Sequence, residues 1–165
     1  MRDEVDDLVE AWGRERGDLD LAPVEVFSRI SRLSRHLDLA RKSAFTAHAI
    51  ESWEFDVLAA LRRAGGDYEL SPGRLLRETL VTSGTMTNRV DRLASRGFVE
   101  RLPDPHDRRG VLVRLTAEGK ATVDGAFGAL LGAEAALLEG LPPRDRATLA
   151  RLLRTLLAPF SPGDA

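Results

Sequence analysis

The chain has 165 residues, 43% of them hydrophobic, and its 26 acidic and 24 basic residues give a net charge of −2. This length supports one domain with a sizeable core, or a small domain with an added oligomerisation region, while the absence of cysteine excludes disulfides and thiolate metal sites. The sequence has no apolar run of about 18 residues and no signal-peptide order at its amino terminus, so we expect a cytoplasmic protein with no membrane partner.

An acidic segment opens the chain. Residues 3–20 contain eight Asp or Glu and two Arg, a balance that disfavours contact with DNA there. Val5, Leu8, Val9 and Trp12 nevertheless recur at helical spacing. The pattern predicts a short amphipathic helix that docks its apolar face on the main body.

Two further helices precede the most informative stretch. Residues 23–47 carry apolar side chains every three to four positions, and a helix of about 25 residues spans about 37 Å at 1.5 Å per residue. Because a small domain cannot cover that length, part of this helix should face another helix or a second subunit. The next helix is expected over residues 52–61, and residues 68–70 are a candidate third strand for the hairpin described below.

Two short helices joined by a tight turn follow. Ser71 and Pro72 are a capping residue and the residue favoured at the first helical position, and a second helix ends at Gly97 after an interruption at residues 81–84. The apolar residues that mark the two helices are Leu75, Leu76, Leu80, Met86, Val90 and Leu93. This arrangement predicts a helix-turn-helix.

A hairpin follows the second of these helices. Residues 98–102 and 111–115 are short apolar or β-branched runs, and residues 103–110 between them are rich in turn formers, which predicts strands joined by a long charged tip. A helix-turn-helix followed by such a hairpin, or wing, is a winged helix, whose second helix enters the major groove of DNA. Residues 71–116 hold nine Arg against five acidic residues, a net charge of +4 in a chain whose total is −2.

Two leucine-rich helices are predicted to close the chain. One begins after Thr116 and stops near residues 140–143, and the other covers residues 144–158. Their apolar stripes exceed what a peripheral helix needs and indicate a two-fold homodimer. We therefore expect a mainly α fold with a small β-hairpin wing: a winged helix-turn-helix at 51–116, a helical dimerisation region at 1–50 and 117–160, and a frayed tail at 161–165.

The wing residues also resemble a known family. The run DRRGVLVRLT at 107–116, with Glu118 and Gly119 after it, is similar to the wing signature of MarR-type transcriptional regulators, and LASRGFV at 93–99 resembles the end of their recognition helix. The resemblance covers roughly residues 25–158. It implies a repressor that binds a pseudo-palindromic operator in double-stranded DNA as a homodimer, responds to a small-molecule effector and uses no cofactor.

The candidate DNA contacts lie on the second helix and on the wing. On the helix they are the polar residues Ser83, Thr85, Thr87, Asn88, Arg92 and Arg96, which suit base edges or phosphates. On the wing, the resemblance implies that Arg108 or Arg109 enters the minor groove and that Asp107 braces the wing. The alternatives are a solvated helix face and, for Asp107 with Arg109, a structural ion pair.

A candidate effector set comprises Trp12, Asp56, Arg89 and Arg101. These residues are similar in type and order to the ligand-responsive set of the urate-binding subgroup of the family, the HucR- and PecS-like proteins. Urate is flat and largely a monoanion at neutral pH, so an indole can stack on it, a carboxylate can accept its N–H groups and arginine can balance its charge. In the alternative interpretation, Trp12 is a docked core residue, Asp56 a surface residue, Arg89 a phosphate contact and Arg101 a strand-surface charge.

Signatures of catalysis and of metal binding are missing from the sequence. His36, His48 and His106 have no metal-ligand spacing, and there is no phosphate-binding glycine loop or nucleophile motif, so we expect neither an enzyme nor a metal site. Because the net charge is negative, a winged helix that serves protein contacts without binding DNA is the alternative function.

Overall fold

Seven α-helices and three β-strands make up the described part of the chain, which comprises residues 2–79, 81–105 and 107–160 of a computed structural model. Leu80, His106, the tail at 161–165 and the side chains of Arg108 and Arg109 lie outside the described part, and so do the predictions made for them. The elements in chain order are α1 (Glu4–Glu15), α2 (Ala22–Thr46), α3 (Ser52–Arg63), β1 (Glu69–Leu70), α4 (Pro72–Thr79), α5 (Ser83–Ser95), β2 (Val99–Asp104), β3 (Asp107–Leu115), α6 (Ala117–Leu137) and α7 (Pro143–Leu157). A short 3-10 turn at Ala158–Phe160 follows α7.

Helix α1 docks on α2, as its amphipathic pattern predicts. Asp3 caps α1 in a reciprocal capping box with Asp6. The two side chains accept hydrogen bonds from backbone N–H groups that have no partner within the first turn of the helix. Val5 is buried in the contact, and Arg29 of α2 reaches back to both carboxylates at 2.8 and 2.6 Å. The extra helix is therefore held by one buried side chain and a group of exposed ion pairs.

The core lies around α3. Val57, Leu58 and Leu61 of this helix are fully buried. Helices α4 and α6 and the sheet pack on α3, and the buried face of α5 belongs to the same core. Phe45 near the end of α2 stacks on Phe55 with ring centroids 4.3 Å apart, so the same core continues across the predicted boundary at residue 50. The division into two regions remains a prediction.

The wing is paired farther toward its tip than the sequence indicates. Strands β2 and β3 pair from Val99 with Leu115 to Asp104 with Asp107, so the predicted long tip at 103–110 is wrong. Proline can stand at position 103 because β2 is an edge strand in the order β1-β3-β2.

A bulge absorbs the extra residues of β3. The register shifts after Pro103, and a Cβ at position 110 would lie 2.8 Å from that of Asp104, so only glycine fits there. Pro103, Asp104 and Gly110, which suggested a loop, are thus part of two irregular but paired strands, and Pro105 lies in the turn after β2. The third strand is confirmed, since Leu70 of β1 pairs with Val113 of β3.

Large apolar side chains remain exposed on the helices outside the winged helix. Helix α7 contains five leucines and no buried residue. The exposed set on α2, α6 and α7 includes Val26, Phe27, Ile30, Leu33, Leu39, Phe127, Leu131, Leu137, Leu152, Leu153, Leu156 and Leu157. None of the helices in the described residues is both long and apolar enough to cross a membrane. The predicted fold class, mainly helical with a helix-turn-helix and a small wing, is confirmed.

Candidate nucleic-acid interface and effector cavity

Helix α5 separates a buried apolar face from an exposed polar face, as predicted. Met86, Val90 and Leu93 are at most 1% exposed and seat the helix on the core. The opposite face exposes the predicted contact residues Ser83, Thr85, Thr87, Asn88 and Arg92. A polar, partly cationic row on a helix of this kind has the chemistry that base edges and phosphates require.

Arg92 and Arg89 are held by the first turn of α3. Arg92 donates to Glu51 at 2.9 Å and lies over the Trp53 ring at 4.6 Å, while Arg89 lies over the same ring at 5.4 Å. The Trp53 indole N–H and then Arg92 hold the pKa of Glu51 below its ordinary value. Sequence reasoning missed Glu51 and Trp53 because they are about 40 residues from α5 in the chain.

Arg96 has partners inside the protein. Its Nη1 lies 2.6 Å from both carboxylate oxygens of the fully buried Glu54, and its Nη2 donates to the carbonyl of Ala49 at 2.6 Å. Because the guanidinium of Arg96 is already bound to Glu54 and Ala49, these bonds argue against its predicted contact with guanine or phosphate. The only sequence signal for Glu54 was its spacing from Glu51, three residues earlier, with which it forms a capping box.

The wing places its described charges in pairs. Arg101 lies 2.8 Å from Asp91 of α5, and Arg114 lies 2.7 Å from Glu69 of β1. Asp107 is exposed at the start of β3. Its predicted pairing with Arg109 stays a prediction, because that arginine side chain lies outside the described residues.

A cavity of ≈ 720 Å³ opens between α2 and α3, with Leu130 of α6 in its wall. Its rim carries the cations Arg41 and Lys42, and its aromatic residues are Phe45, Trp53 and Phe55. Three carboxylates also line it: Asp38, Glu51 and Asp56. Partial burial raises the pKa of Asp56, although Arg89, Arg41 and Arg63 favour its charged form.

A second cavity of ≈ 540 Å³ runs along α5. Its lining includes Thr85, Asn88, Arg89 and Arg92 together with Glu51 and Trp53. The first turn of α3 is thus a common wall of the two cavities. A molecule bound in the larger cavity would touch residues that also hold the arginines of α5.

The predicted effector residues are only partly brought together. Asp56 lines the larger cavity, Arg89 lines the smaller one, and the two interact electrostatically. Trp12, half exposed on α1, and Arg101 line neither cavity. Within one chain, the aromatic residue beside Arg89 is Trp53. Among the described residues, no group of histidines and carboxylates could hold a metal ion.

Comparison with known proteins relates the region that forms the winged helix to one family. The model of the MarR family matches residues 50–110, from the turn before α3 into the wing. The transcriptional regulator PecS of Dickeya dadantii is 40% identical over 121 residues, which cover 73% of this chain and 73% of that protein.

Two solved structures share the fold. A variant of MarR from Escherichia coli in complex with operator DNA has a TM-score of 0.67 and 29% identity, covering 94% of this chain and 99% of that one. BpsR of Bordetella bronchiseptica, whose DNA binding is regulated by 6-hydroxynicotinic acid, has a TM-score of 0.64 and 28% identity, covering 79% of this chain and 91% of that one. From the winged-helix architecture, the polar face of α5 and these similarities, we conclude that the chain belongs to the MarR family of transcriptional regulators.

Proposed function

We propose that the chain is a homodimeric repressor, acting in the cytoplasm, that reads a pseudo-palindromic operator with α5 and is released from it by a flat aromatic anion, with urate as the first candidate. The observation that carries the proposal is the division of α5 into a fully buried apolar face and an exposed row of hydroxyl, amide and guanidinium groups. A helix presented in this way fits a major groove.

Each polar residue of α5 has a role that suits its chemistry. Asn88 can pair with an adenine edge, and Arg92 can bind guanine or phosphate once DNA replaces Glu51 as its partner. Ser83, Thr85 and Thr87 suit phosphate oxygens. On the wing, Arg108 or Arg109 would follow the minor groove, with Asp107 as the brace. The operator-bound E. coli relative supports this arrangement.

The dimer is supported by the exposed apolar side chains of α2, α6 and α7. Leu153 and Leu156 of α7 are 36% and 44% exposed, and many large apolar side chains exposed together normally mark an interface. In a two-fold dimer, two copies of α5 would enter successive major grooves about 34–36 Å apart. This spacing is the reason to expect a pseudo-palindromic operator.

The effector is assigned to the cavity between α2 and α3. Its cations would balance the charge of the ligand, its aromatic rings would stack on it, and Asp56 would accept N–H groups. Because Glu51 and Trp53 also contact Arg92, a ligand there can favour a different position of α5. By linkage, DNA must then weaken ligand binding by the same factor.

Selection from a random-sequence DNA library, followed by footprinting and a salt titration, tests the DNA part. We expect two related half-sites about one helical turn apart and an affinity that falls steeply with salt. A library that yields no preferred duplex, or binding that does not depend on salt, would instead support a winged helix used for protein contacts.

Titration of urate into the protein–DNA complex tests the effector part. The chain has two lysines, so Lys42→Gln in the cavity has a matched control in Lys120→Gln on α6. We expect Lys42→Gln, Asp56→Asn and Arg89→Ala to blunt release by urate about tenfold, which needs only about 1.4 kcal/mol of coupling. Lys120→Gln should respond as wild type does.

Comparison of Trp12→Ala with Trp53→Phe then locates the stacking ring, since only a ring that contacts the ligand should change the release midpoint. If the wild-type protein–DNA complex withstands millimolar urate but is dissociated by xanthine or salicylate, the compound that dissociates it replaces urate as the candidate effector. A complex that none of these anions dissociates would remove the aromatic-anion effector.

A further inference from the structure

Glu54 is the one fully buried charged side chain among the described residues. It stands in the first turn of α3, where its carboxylate accepts the backbone N–H of Glu51 at 2.8 Å and both of its oxygens accept from Arg96. A carboxylate is stable without water only when it is paired and hydrogen-bonded in this way. The site is therefore built, with every described partner supplied by the chain itself.

Arg96 joins segments that are distant in the chain. It is the residue that ends α5, so its guanidinium lies at the negative end of that helix dipole. Its second nitrogen donates to Ala49, which has a left-handed backbone (φ +54°) in the turn between α2 and α3, and its guanidinium lies 4.6 Å from the centre of the Phe98 ring. One side chain thus connects the end of α2, the start of α3 and the end of the recognition helix.

The apolar seat of α5 does not fix the direction of the helix by itself. Met86, Val90 and Leu93 form a single stripe, and dispersion contacts along one stripe tolerate small rotations and shifts. A guanidinium that donates through one nitrogen to a carboxylate and through another to a backbone carbonyl has a defined geometry that such contacts lack. A buried ion pair adds little net stability compared with an apolar pair, so orientation is the better explanation for its presence here.

We propose that Glu54 and Arg96 are positioning residues that set the orientation of the recognition helix α5 relative to α2 and α3. The pair determines how the exposed row of α5 meets a groove, and in the proposed dimer it also determines the spacing between the two recognition helices. The inference rests on the proposed reading of DNA by α5. In it, Arg96 orients α5 through its contact with Glu54 and does not itself contact DNA.

Glu54 makes this role testable, because a side chain with no exposed surface cannot itself touch DNA. The variants are Glu54→Gln, which keeps the shape and removes the charge, and two changes at Arg96. Arg96→Lys keeps the charge but has a single nitrogen in place of the two that hold Glu54 and Ala49, and Arg96→Ala removes the cation. Asp124→Asn is the matched control, since it removes another carboxylate that is ion-paired with the scaffold, through Arg62 of α3 at 2.8 Å, without contact to α5. Binding is measured on the duplex selected with the wild-type protein and on a scrambled duplex of equal composition, over a range of salt concentrations, with folding checked by circular dichroism.

Glu54→Gln and Arg96→Lys should each lose at least about tenfold in affinity for the selected duplex, the scale of one mismatched base pair. Affinity for the scrambled duplex should stay within about twofold of wild type, and the salt slope should not change, because no phosphate contact is lost. A structural defect alone would lower the unfolding temperature without changing this discrimination between duplexes. Asp124→Asn should bind both duplexes as the wild-type protein does.

Two results would overturn the proposal. A folded Glu54→Gln protein with wild-type discrimination would show that the pair does not orient α5. Wild-type binding by Arg96→Lys, together with a salt slope reduced by about one in Arg96→Ala, would make Arg96 a phosphate contact. If Glu54→Gln does not fold, the two Arg96 variants decide the question, since that side chain is 35% exposed. A wild-type protein that selects no duplex would instead remove the proposed function on which the inference rests.

Discussion

The winged helix and the helices around it use their apolar side chains in opposite ways. Leu58, Leu61 and Leu75 of the winged helix are 0% exposed, whereas Phe27 of α2 is 56% and Leu157 of α7 is 61% exposed. The winged helix completes its core within one chain. Helices α2, α6 and α7 expose apolar side chains that a second surface must cover, and we attribute that surface to the partner in the proposed dimer.

The largest effect is expected where a charge enters the exposed patch. The double substitution Leu153→Asp with Leu156→Asp should raise the dimer dissociation constant by roughly a thousandfold or more, because each buried carboxylate without a partner costs several kcal/mol. Sedimentation measures the change. Arg151→Asp on the opposite side of α7 is the control and should stay dimeric. A double variant that remains a soluble dimer would show that the interface lies elsewhere and that the partner does not cover the exposed leucines of α7.

A core truncation in the winged helix should be the next largest effect. Leu58→Ala should lower the free energy of unfolding by about 2–5 kcal/mol through lost burial and the cavity that remains. Urea unfolding at several protein concentrations measures it, and the loss should be similar at each concentration because Leu58 is buried within one chain. A loss that appears only in dilute samples would mean that this core also depends on the partner.

The wing should affect DNA affinity and not stability. Arg109→Ala should weaken binding to the selected duplex by about 1–3 kcal/mol, since it removes one proposed groove contact. The unfolding temperature should stay at the wild-type value. Unchanged affinity in a folded variant would take Arg109 out of the DNA interface.

The smallest effect concerns α1, which is held mainly by exposed ion pairs. The hydrogen bond from Arg29 lowers the pKa of Asp3 from 3.8 to about 2. Because the pKa in the folded state is the lower one, the pair contributes fully above about pH 3.8 and is lost as the pH falls through about 2. In a Trp53→Phe background, the fluorescence of Trp12 reports on α1 and should therefore change only at the acid end of this window.

Arg29→Ala provides the matched control for α1. This variant should shift the change in Trp12 fluorescence upward toward the ordinary pKa of an aspartate. Far-UV circular dichroism separates undocking of α1 from global unfolding. The same midpoint in both proteins would show that the ion pair does not hold the helix.

Local sequence patterns predicted most of the elements. Helical periodicity gave the bounds of α2 and α7 to within about one residue, and the apolar spacing of Met86, Val90 and Leu93 gave the correct buried face of α5. These signals were readable because a helix or strand relates residues that are only a few positions apart. The wing tip was mispredicted because turn formers such as Pro103 and Gly110 also occur at bulges of edge strands, and only the pairing with a neighbouring strand distinguishes the two uses.

The sequence by itself thus determined the winged helix, the polar row of α5 and the surplus of apolar surface on the terminal helices, because each is a property of one element. Only the tertiary structure decided which side chains meet. Within one chain it left Trp12 outside the lining of the cavity that Asp56 lines, placed Trp53 beside Arg89 and paired Arg96 with Glu54. Glu54 and Arg96 are 42 residues apart, and no periodicity relates residues at that distance. Their contact arises from the packing of α3 against the end of α5, which brings an arginine to the only buried carboxylate in the described part of the chain.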